Sequence, residues 1–580
     1  MRYGLQLNPI LLLPALFLLA KAKEELKWWE STIFYQIYPR SFKDSDGDGI
    51  GDLKGITSKL QYLKDIGVDA TWLSPIFKSP MYDFGYDISD FYAIQPEYGT
   101  MEDCEDLLAK AKELDIKIIL DLVPNHTSNE SVWFQEALKG NKKYYDYFIW
   151  EDGVVDENGV MHPPNNWLSV FWNSAWEYKE EVGKYYFHQF AIGQPDLNYR
   201  NPEVVEEMNN VIRFWLDKGV AGFRVDAVMY LMEVDKNLYG GKYPDEPASG
   251  QFVDNPNHYD HLNHIYTREQ EELYGLVYQW RKIFDEYTKK DGHQRVMLTE
   301  AYTNKIDNLM KYFGNEERQG AQIPFNFALI SDVNVNSSAS DLKYALDKYL
   351  TYKPIDKLSN WVAGNHDNHR IASRFSQKMV DGMNMILLLS PGIGVTYQGE
   401  EIGMRDGTVS FEDTQDPIVL DKDYYLMGVS RDPERTPHQW DGTKNAGFST
   451  ADKTWLPVAE SYKTLNVEIE LQQERSHLKV YKQLAKLRKD PVFQHGRYES
   501  VALNRDVFAF RRWYGCEIYV IVINLREQPY NLDLTYFENV SGQLEIVINN
   551  VESPKEIGDL VDADNLELAA GESLVLKVVS

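Results

Sequence analysis

Between Ile33 and Lys489 the chain alternates, eight times over, a short run of β-branched and aromatic residues with a longer stretch of helical character. The short runs fall at 33–38, 70–76, 116–123, 222–228, 296–301, 323–329, 360–364 and 394–397. Runs of this length and composition read as buried strands. Helix punctuation supports the stretches between them. A helix over 57–66 stops at Gly67, and Thr100 with Asp103 three residues on comes close to a capping box. Asn201-Pro202 supplies an N-cap and a proline at the first helical position for a helix that runs past Trp215 and stops at Gly219. A last helix over 476–489 closes the series before Pro491. Eight strand–helix units fit a closed parallel (β/α)8 TIM barrel, but a doubly wound sheet alternates in the same way, and counting alone leaves both open.

Two interruptions say more. Residues 127–198 are rich in Trp, Tyr, Asn and Pro and show no helical period. They are expected to form a subdomain inserted on the loop after strand three, at the face where barrel enzymes carry their active sites. After Pro491 the pattern becomes short strands with turns, at 507–510, 518–523, 544–548 and 574–579, the mark of a small antiparallel β-sandwich domain. The expected division is a leader at 1–22, a barrel built from 23–126 and 199–490, the insertion 127–198 and a C-terminal β domain 491–580.

Charged residues are costly at the ends of buried strands, yet here they collect there. Strand three ends in Asp121-Leu-Val-Pro-Asn125-His126, strand four carries Arg224 and Asp226 two apart and so on one face, strand five ends in Glu300, and strand seven runs into Asn365-His366-Asp367. In a barrel all these ends converge on one opening. Two carboxyl groups flanking a glycosidic bond suffice to hydrolyse it, one attacking the anomeric carbon and the other protonating the leaving oxygen. Arg224 favours an ionised Asp226 and is also a candidate substrate-binding residue. Glu300, crowded by carboxylates and partly dry, is expected to hold a proton for donation. His126 and His366 are donors suited to sugar hydroxyls, although either alone reads equally well as a packed histidine.

The formal charge of −29, from 89 acidic against 60 basic residues, argues against a nucleic-acid or anionic-membrane partner and is neutral about an uncharged sugar. Arg2, the apolar run from Ile10 to Ala20 and the polar stretch after Ala22 have the layout of a cleaved secretory leader, too short to span a bilayer. An extracellular protein without a membrane span is therefore expected, and the C-terminus offers no support for a lipid anchor. Cys104 and Cys516 are the only cysteines, so no disulfide framework holds the fold. Glycan acceptor triplets begin at Asn125, Asn129, Asn336 and Asn539.

The segments 121–126, 222–226, Glu300 and 365–367, with 194–198 (Gln-Pro-Asp-Leu-Asn), resemble the ordered signature regions of the α-amylase family of glycoside hydrolases. The likeness runs from Trp28 to the C-terminus. It implies a retaining mechanism with Asp226 as nucleophile, Glu300 as acid/base and Asp367 as transition-state stabiliser. Asn125 falls inside the first region and is expected to be buried, closed to a glycan. Within the family, residues 35–40, 83–87 and 435–441 resemble insect maltases and the oligo-1,6-glucosidase group. That resemblance implies that Asp83 and Arg435 grip the terminal glucose and close the pocket, that Tyr86 stacks on the sugar ring, and that single glucose units are released. Ala227 stands where relatives preferring α-1,6 bonds carry Val, which favours α-1,4 substrates such as maltose, with sucrose and short malto-oligosaccharides.

Residues 44–52 place Asp44, Asp46, Asp48 and Asp52 at alternate or near-alternate positions with glycines between, a spacing that wraps oxygen ligands around a hard cation. The EF-hand pattern fails at its twelfth position, Gly55. Similar loops bind calcium in the resembled group, which implies a structural Ca2+ held by Asp44, Asp46, Asp48, the Ile50 carbonyl and Asp52. Two other functions stay open. A sugar acceptor in place of water gives a transglucosidase or sucrose isomerase, and loss of chemistry gives a surface binding subunit. The intact carboxylate set speaks against the second. Protein partners and oligomeric state are not legible.

Overall fold

The computed structural model describes residues 26–579; the expected leader lies outside the described residues. The eight barrel strands are β1 (Ile33–Ile37), β2 (Ala70–Leu73), β3 (Lys117–Leu122), β4 (Gly222–Val225), β5 (Val296–Thr299), β6 (Ile323–Pro324), β7 (Asn360–Val362) and β8 (Ile393–Tyr397). They pair in parallel in the order β6-β5-β4-β3-β2-β1-β8-β7. The barrel, not the doubly wound sheet, is the fold. No backbone ladder joins β6 to β7. The Asn360 side chain spans that seam, donating to the Pro324 carbonyl at 2.6 Å and accepting from the Asn326 N–H at 2.8 Å. Proline has no N–H to offer a ladder, and β6 stops after two residues where the sequence suggested seven.

Alternation assigns each strand residue a side. Phe34, Ala70, Trp72, Ile119, Val296, Leu298, Ile323, Val362, Ile393 and Val395 fill the barrel interior. Ile33, Tyr35, Ile118, Leu120, Phe223, Val225 and Met297 face the surrounding helices. Those helices begin and end where side chains satisfy their free backbone groups. Thr100 and Asp103 form the capping box of Met101–Glu113. Asn201 caps Pro202–Lys218, and Gly219 closes it in a left-handed conformation. The first helix, Leu53–Asp65, starts earlier than expected because Asp52 caps it.

The inserted stretch contains a three-stranded sheet, Trp150–Glu151 beside Lys184–Phe187 beside Trp176–Lys179. It also holds short helices at Val132–Leu138 and Lys142–Tyr145, which its aromatic-rich sequence hid. Trp167, Trp176 and Phe187 form its own small core. The stretch returns to the barrel where Asp196 bridges to His126.

Beyond residue 496 lies a six-stranded antiparallel sheet ordered Arg497–Ala502, Val507–Tyr514, Glu517–Asn524, Ser573–Val578, Gln543–Asn549, Leu560–Asp562. One face joins Phe508, Phe510, Ile521, Ile523 and Val575 to the main core. The other face buries Val507, Val520, Leu574 and Leu576 under the pair Tyr530–Leu532 and Leu566–Leu568. Cys104 is buried and Cys516 exposed, both as free thiols. No described helix is long and apolar enough to cross a membrane.

Candidate active site

Parallel register brings the charged strand ends together. Arg224 on β4 sits level with Asp121 on β3, and Val225 with Thr299, the residue before Glu300. Alternation turns Arg224 and Asp226 into the barrel while Phe223 and Val225 face outward. Just past β4, Ala227 adopts a left-handed backbone, φ 46°, uncommon outside glycine. That turn directs its N–H onto Glu300 Oε2 at 3.0 Å.

A single guanidinium organises this half of the site. Arg224 lies 2.9 Å from Asp121 Oδ1, 2.5 Å from Asp226 Oδ1 and 2.7 Å from Glu300 Oε1. The Trp72 ring lies beneath it, 4.8 Å from the guanidinium carbon. Three carboxyls around one cation are over-supplied with negative charge. Burial, with Glu300 and Asp121 adding to it, pushes the Asp226 carboxyl well up against the pull of Arg224. Burial likewise raises Asp121 to about 7 although Arg224 opposes it. Arg224 favours the ionised form of Asp226, as expected, but burial outweighs it. Glu300, on the same guanidinium, is close enough to Asp226 to add to that rise.

The other half has more cations. Asp367 Oδ1 lies 2.8 Å from Arg435 Nη2 and 3.3 Å from Arg431 Nη1. Burial would raise this carboxyl, but the Arg435 and Arg431 guanidiniums hold it below the usual carboxylate range. Arg431 also reaches Asp83 Oδ1 at 3.2 Å and Asp416 Oδ1 at 2.6 Å. Asp83 is raised by burial, with Arg431 opposing, and accepts from Gln194 at 3.0 Å. His366 is neutral, driven well down by burial. Its ring bonds Tyr86 Oη at 2.7 Å and Gln36 at 2.8 Å, and it stacks on the Tyr86 ring. His126, pushed down to about 4 by burial, bonds the Tyr86 carbonyl at 2.9 Å.

These groups line a cavity of about 250 Å³ whose wall includes Asp83, Tyr86, His126, Asp226, Glu300, His366, Asp367 and Arg431. Phe171 and Phe190 of the inserted stretch complete it, whereas Trp172 packs on His258 and Tyr424. Two arginines expected at the sugar are not on this wall. Arg224 is buried beneath the carboxyls. Arg435 is fully buried behind Asp367, where its Nε donates to the His366 carbonyl at 2.8 Å. Arg431, four residues earlier, holds the position at the wall expected of Arg435. The sequence offers both arginines about one turn apart and does not rank them. The carboxylate partner of Arg431, Asp416, had no sequence signal at all. Asn125 is buried and donates to Asp196 at 2.8 Å, closed to any glycan.

Away from the cavity, Asp44, Asp46 and Asp48 converge with carboxylate oxygens within 4.8 Å of one another. Backbone N–H groups of residues 46, 47 and 49 hold Asp44 in place. Burial raises Asp48, and Asp46 and Asp44 add to it, a crowding that a hard cation relieves. Ile50 turns its N–H onto Asp48 Oδ1 at 2.7 Å. Asp52 stands apart from the three, bound by the Ser45 N–H at 2.6 Å and the Gly55 N–H at 2.7 Å.

The family described as "Alpha amylase, catalytic domain" matches residues 36–496. The chain is 52% identical to Maltase A1 of Drosophila melanogaster, over 92% of this chain and 93% of that protein. It is 49% identical to a salivary alpha-glucosidase of Anopheles gambiae, over 95% of this chain and 93% of that protein. Among solved structures, alpha-glucosyl transfer enzyme XgtA matches with a TM-score of 0.84 at 33% identity, covering 96% of this chain and 100% of that one.

Proposed function

The chain belongs to the α-amylase family of glycoside hydrolases, and on that premise we propose that it is a retaining, exo-acting α-glucosidase that removes terminal α-1,4-linked glucose from maltose, sucrose and short malto-oligosaccharides. The observation that carries this reading is the pair of carboxyls, Asp226 and Glu300, held 2.5 and 2.7 Å from one Arg224 guanidinium in a small pocket. Close carboxyls suit a covalent intermediate, whereas inversion needs room for a water between them. Asp226 attacks the anomeric carbon while Glu300 protonates the departing oxygen. Glu300 then takes a proton from the water that cleaves the glucosyl ester. Asp367, kept ionised by its arginines, faces the developing positive charge of the ring.

Asp83 and Arg431 close the end of the pocket around the terminal glucose, with Arg435 holding Asp367 from behind. Tyr86 offers its ring to the sugar, and His126 and His366 offer hydrogen bonds to hydroxyls. Ala227, small beside Glu300, favours α-1,4 over α-1,6 bonds. Names such as salivary alpha-glucosidase among the relatives support secretion, and the exposed Asn336 and Asn539 are the better glycan acceptors.

Calcium fits the Asp44, Asp46, Asp48 cluster, with the Ile50 carbonyl added to the set. It would tie the loop after β1 to Ser449, which donates to Asp44 at 2.5 Å. It supplies no step of the reaction. Chelation is expected to lower Tm by several degrees at an unchanged kcat, measured after re-equilibration.

The deciding experiment incubates wild type and Asp226→Asn with maltose, sucrose, isomaltose and soluble starch and follows the anomeric proton signals. α-Glucose first, from maltose and sucrose and scarcely from starch, supports the reading; β-glucose first overturns retention. New disaccharides in place of free glucose establish the transfer reading, which Phe171 and Phe190 on the cavity wall favour as faces for a second ring.

A further inference from the structure

Outside the catalytic cavity, one cluster sets a single imidazole against two carboxylates. His369, two residues after Asp367, faces two carboxylates from distant parts of the chain. Its Nδ1 lies 2.9 Å from Asp406 Oδ2 and 3.2 Å from Glu434 Oε2. One N–H cannot point along both directions, and Glu434 Oε2, buried, receives no hydrogen bond. Glu434 itself is 2% exposed, so this oxygen has no ready solvent partner beyond its 3.2 Å ion pair with His369, and a buried carboxylate oxygen so poorly paired is costly. The three ligand atoms lie within 4.8 Å of one another.

We propose that His369, Asp406 and Glu434 form a binding site for a borderline divalent metal ion such as Zn2+, separate from the catalytic carboxyls and from the Asp44 loop. One imidazole and two carboxylates make a donor set suited to Zn2+ and poorly suited to Ca2+, which prefers six or more oxygens. The imidazole nitrogen, 2.9 and 3.2 Å from the two carboxylate oxygens, lies at a spacing that suits a compact coordination shell with bonds of about 2 Å. His369 has a side chain 51% exposed, which leaves an open side for entry of the ion and for a water ligand. The carboxylates are already oriented. Asp406 Oδ1 accepts from the Arg370 N–H at 2.9 Å, and the Arg370 guanidinium is bound to the carbonyls of Gln398 and Glu434. The nearest cations are therefore committed elsewhere, since Arg435 is bound to Asp367. A metal here would clamp the loop after β7 to the segments that carry Asp406 and Glu434, and so restrain the mounting of Asp367 without touching substrate.

The test uses the full chain, stripped with chelator and dialysed against Zn2+ in excess Ca2+, which saturates the Asp44 loop. Metal is counted by mass spectrometry in wild type and His369→Gln, a change at a half-exposed side chain. The expected result is one tightly held Zn2+ per wild-type chain and an affinity at least about tenfold weaker in His369→Gln. Cobalt provides a second reading on unmutated protein, because Co2+ in a nitrogen–oxygen shell gives visible absorption bands that excess Zn2+ abolishes. Equal zinc in both proteins, or a cobalt spectrum no different from that of the aqueous ion, overturns the proposal.

Discussion

The two halves of the cavity floor are built from the same residue type and reach opposite states. Around Arg224 three carboxyls share one guanidinium, and Asp226 and Asp121 are both pushed up. Around Asp367 two guanidiniums serve that one carboxylate directly, and it is held down. Both halves are buried, so dehydration works upward on Asp226, Asp121 and Asp367 alike and cannot be what separates them. The number of cations in contact decides. Acid chemistry needs a proton on one side of the scissile bond and a fixed negative charge on the other, and unequal numbers of arginines provide both within one pocket.

Three substitutions break this contrast, in falling order of effect. Asp226→Asn removes the attacking oxygen, and a loss of roughly 10⁴-fold or more in kcat/KM is expected, with an unchanged circular dichroism spectrum. Retention of a tenth of the activity would remove Asp226 from the chemistry. Arg431→Met strips the second half of a cation and leaves Asp83, Asp367 and Asp416 poorly compensated, which should destabilise by about 3–5 kcal/mol. Asp367 has a depressed folded pKa, so its contribution exists above the unfolded carboxylate range, near pH 4, and fades as pH falls through the folded value. The Tm deficit of the variant is therefore expected to be full at neutral pH and to shrink in acid; a deficit that grew in acid would contradict the assignment. Asp121→Asn removes one of the charges that raises Asp226. The acid limb of the kcat/KM profile should move down by about one pH unit, and an upward move would reverse the charge count given for the first half.

The sequence made some of this legible and hid the rest for identifiable reasons. Arg224, Asp226 and Glu300 were readable because period-two alternation and strand-end position fix where such residues point. The same logic failed for Arg431 against Arg435. These lie one turn apart beside a four-residue helix, Asp432–Arg435, and only packing behind Asp367 decides which of them reaches the wall. Asp52 was read as a cation ligand from spacing, yet both its oxygens are bound by Ser45 and Gly55 while it caps the next helix. Spacing cannot rank two uses of one carboxylate. The short helix Val132–Leu138 was hidden because its Val, Trp and Phe are weak helix formers that also suit a strand.

The Asn360 amide that spans β6 and β7 has a consequence for how the ring opens. Every other neighbouring pair of barrel strands is joined by a run of main-chain bonds, so separating it is a cooperative event. At this seam two bonds from one side chain stand in for the ladder, and slow-exchanging amides should thin out there first. The flanking loops carry Phe327 on one side and Asp367 on the other. Breathing of the cylinder is thus steered toward the working face, and a single amide sets how often it occurs.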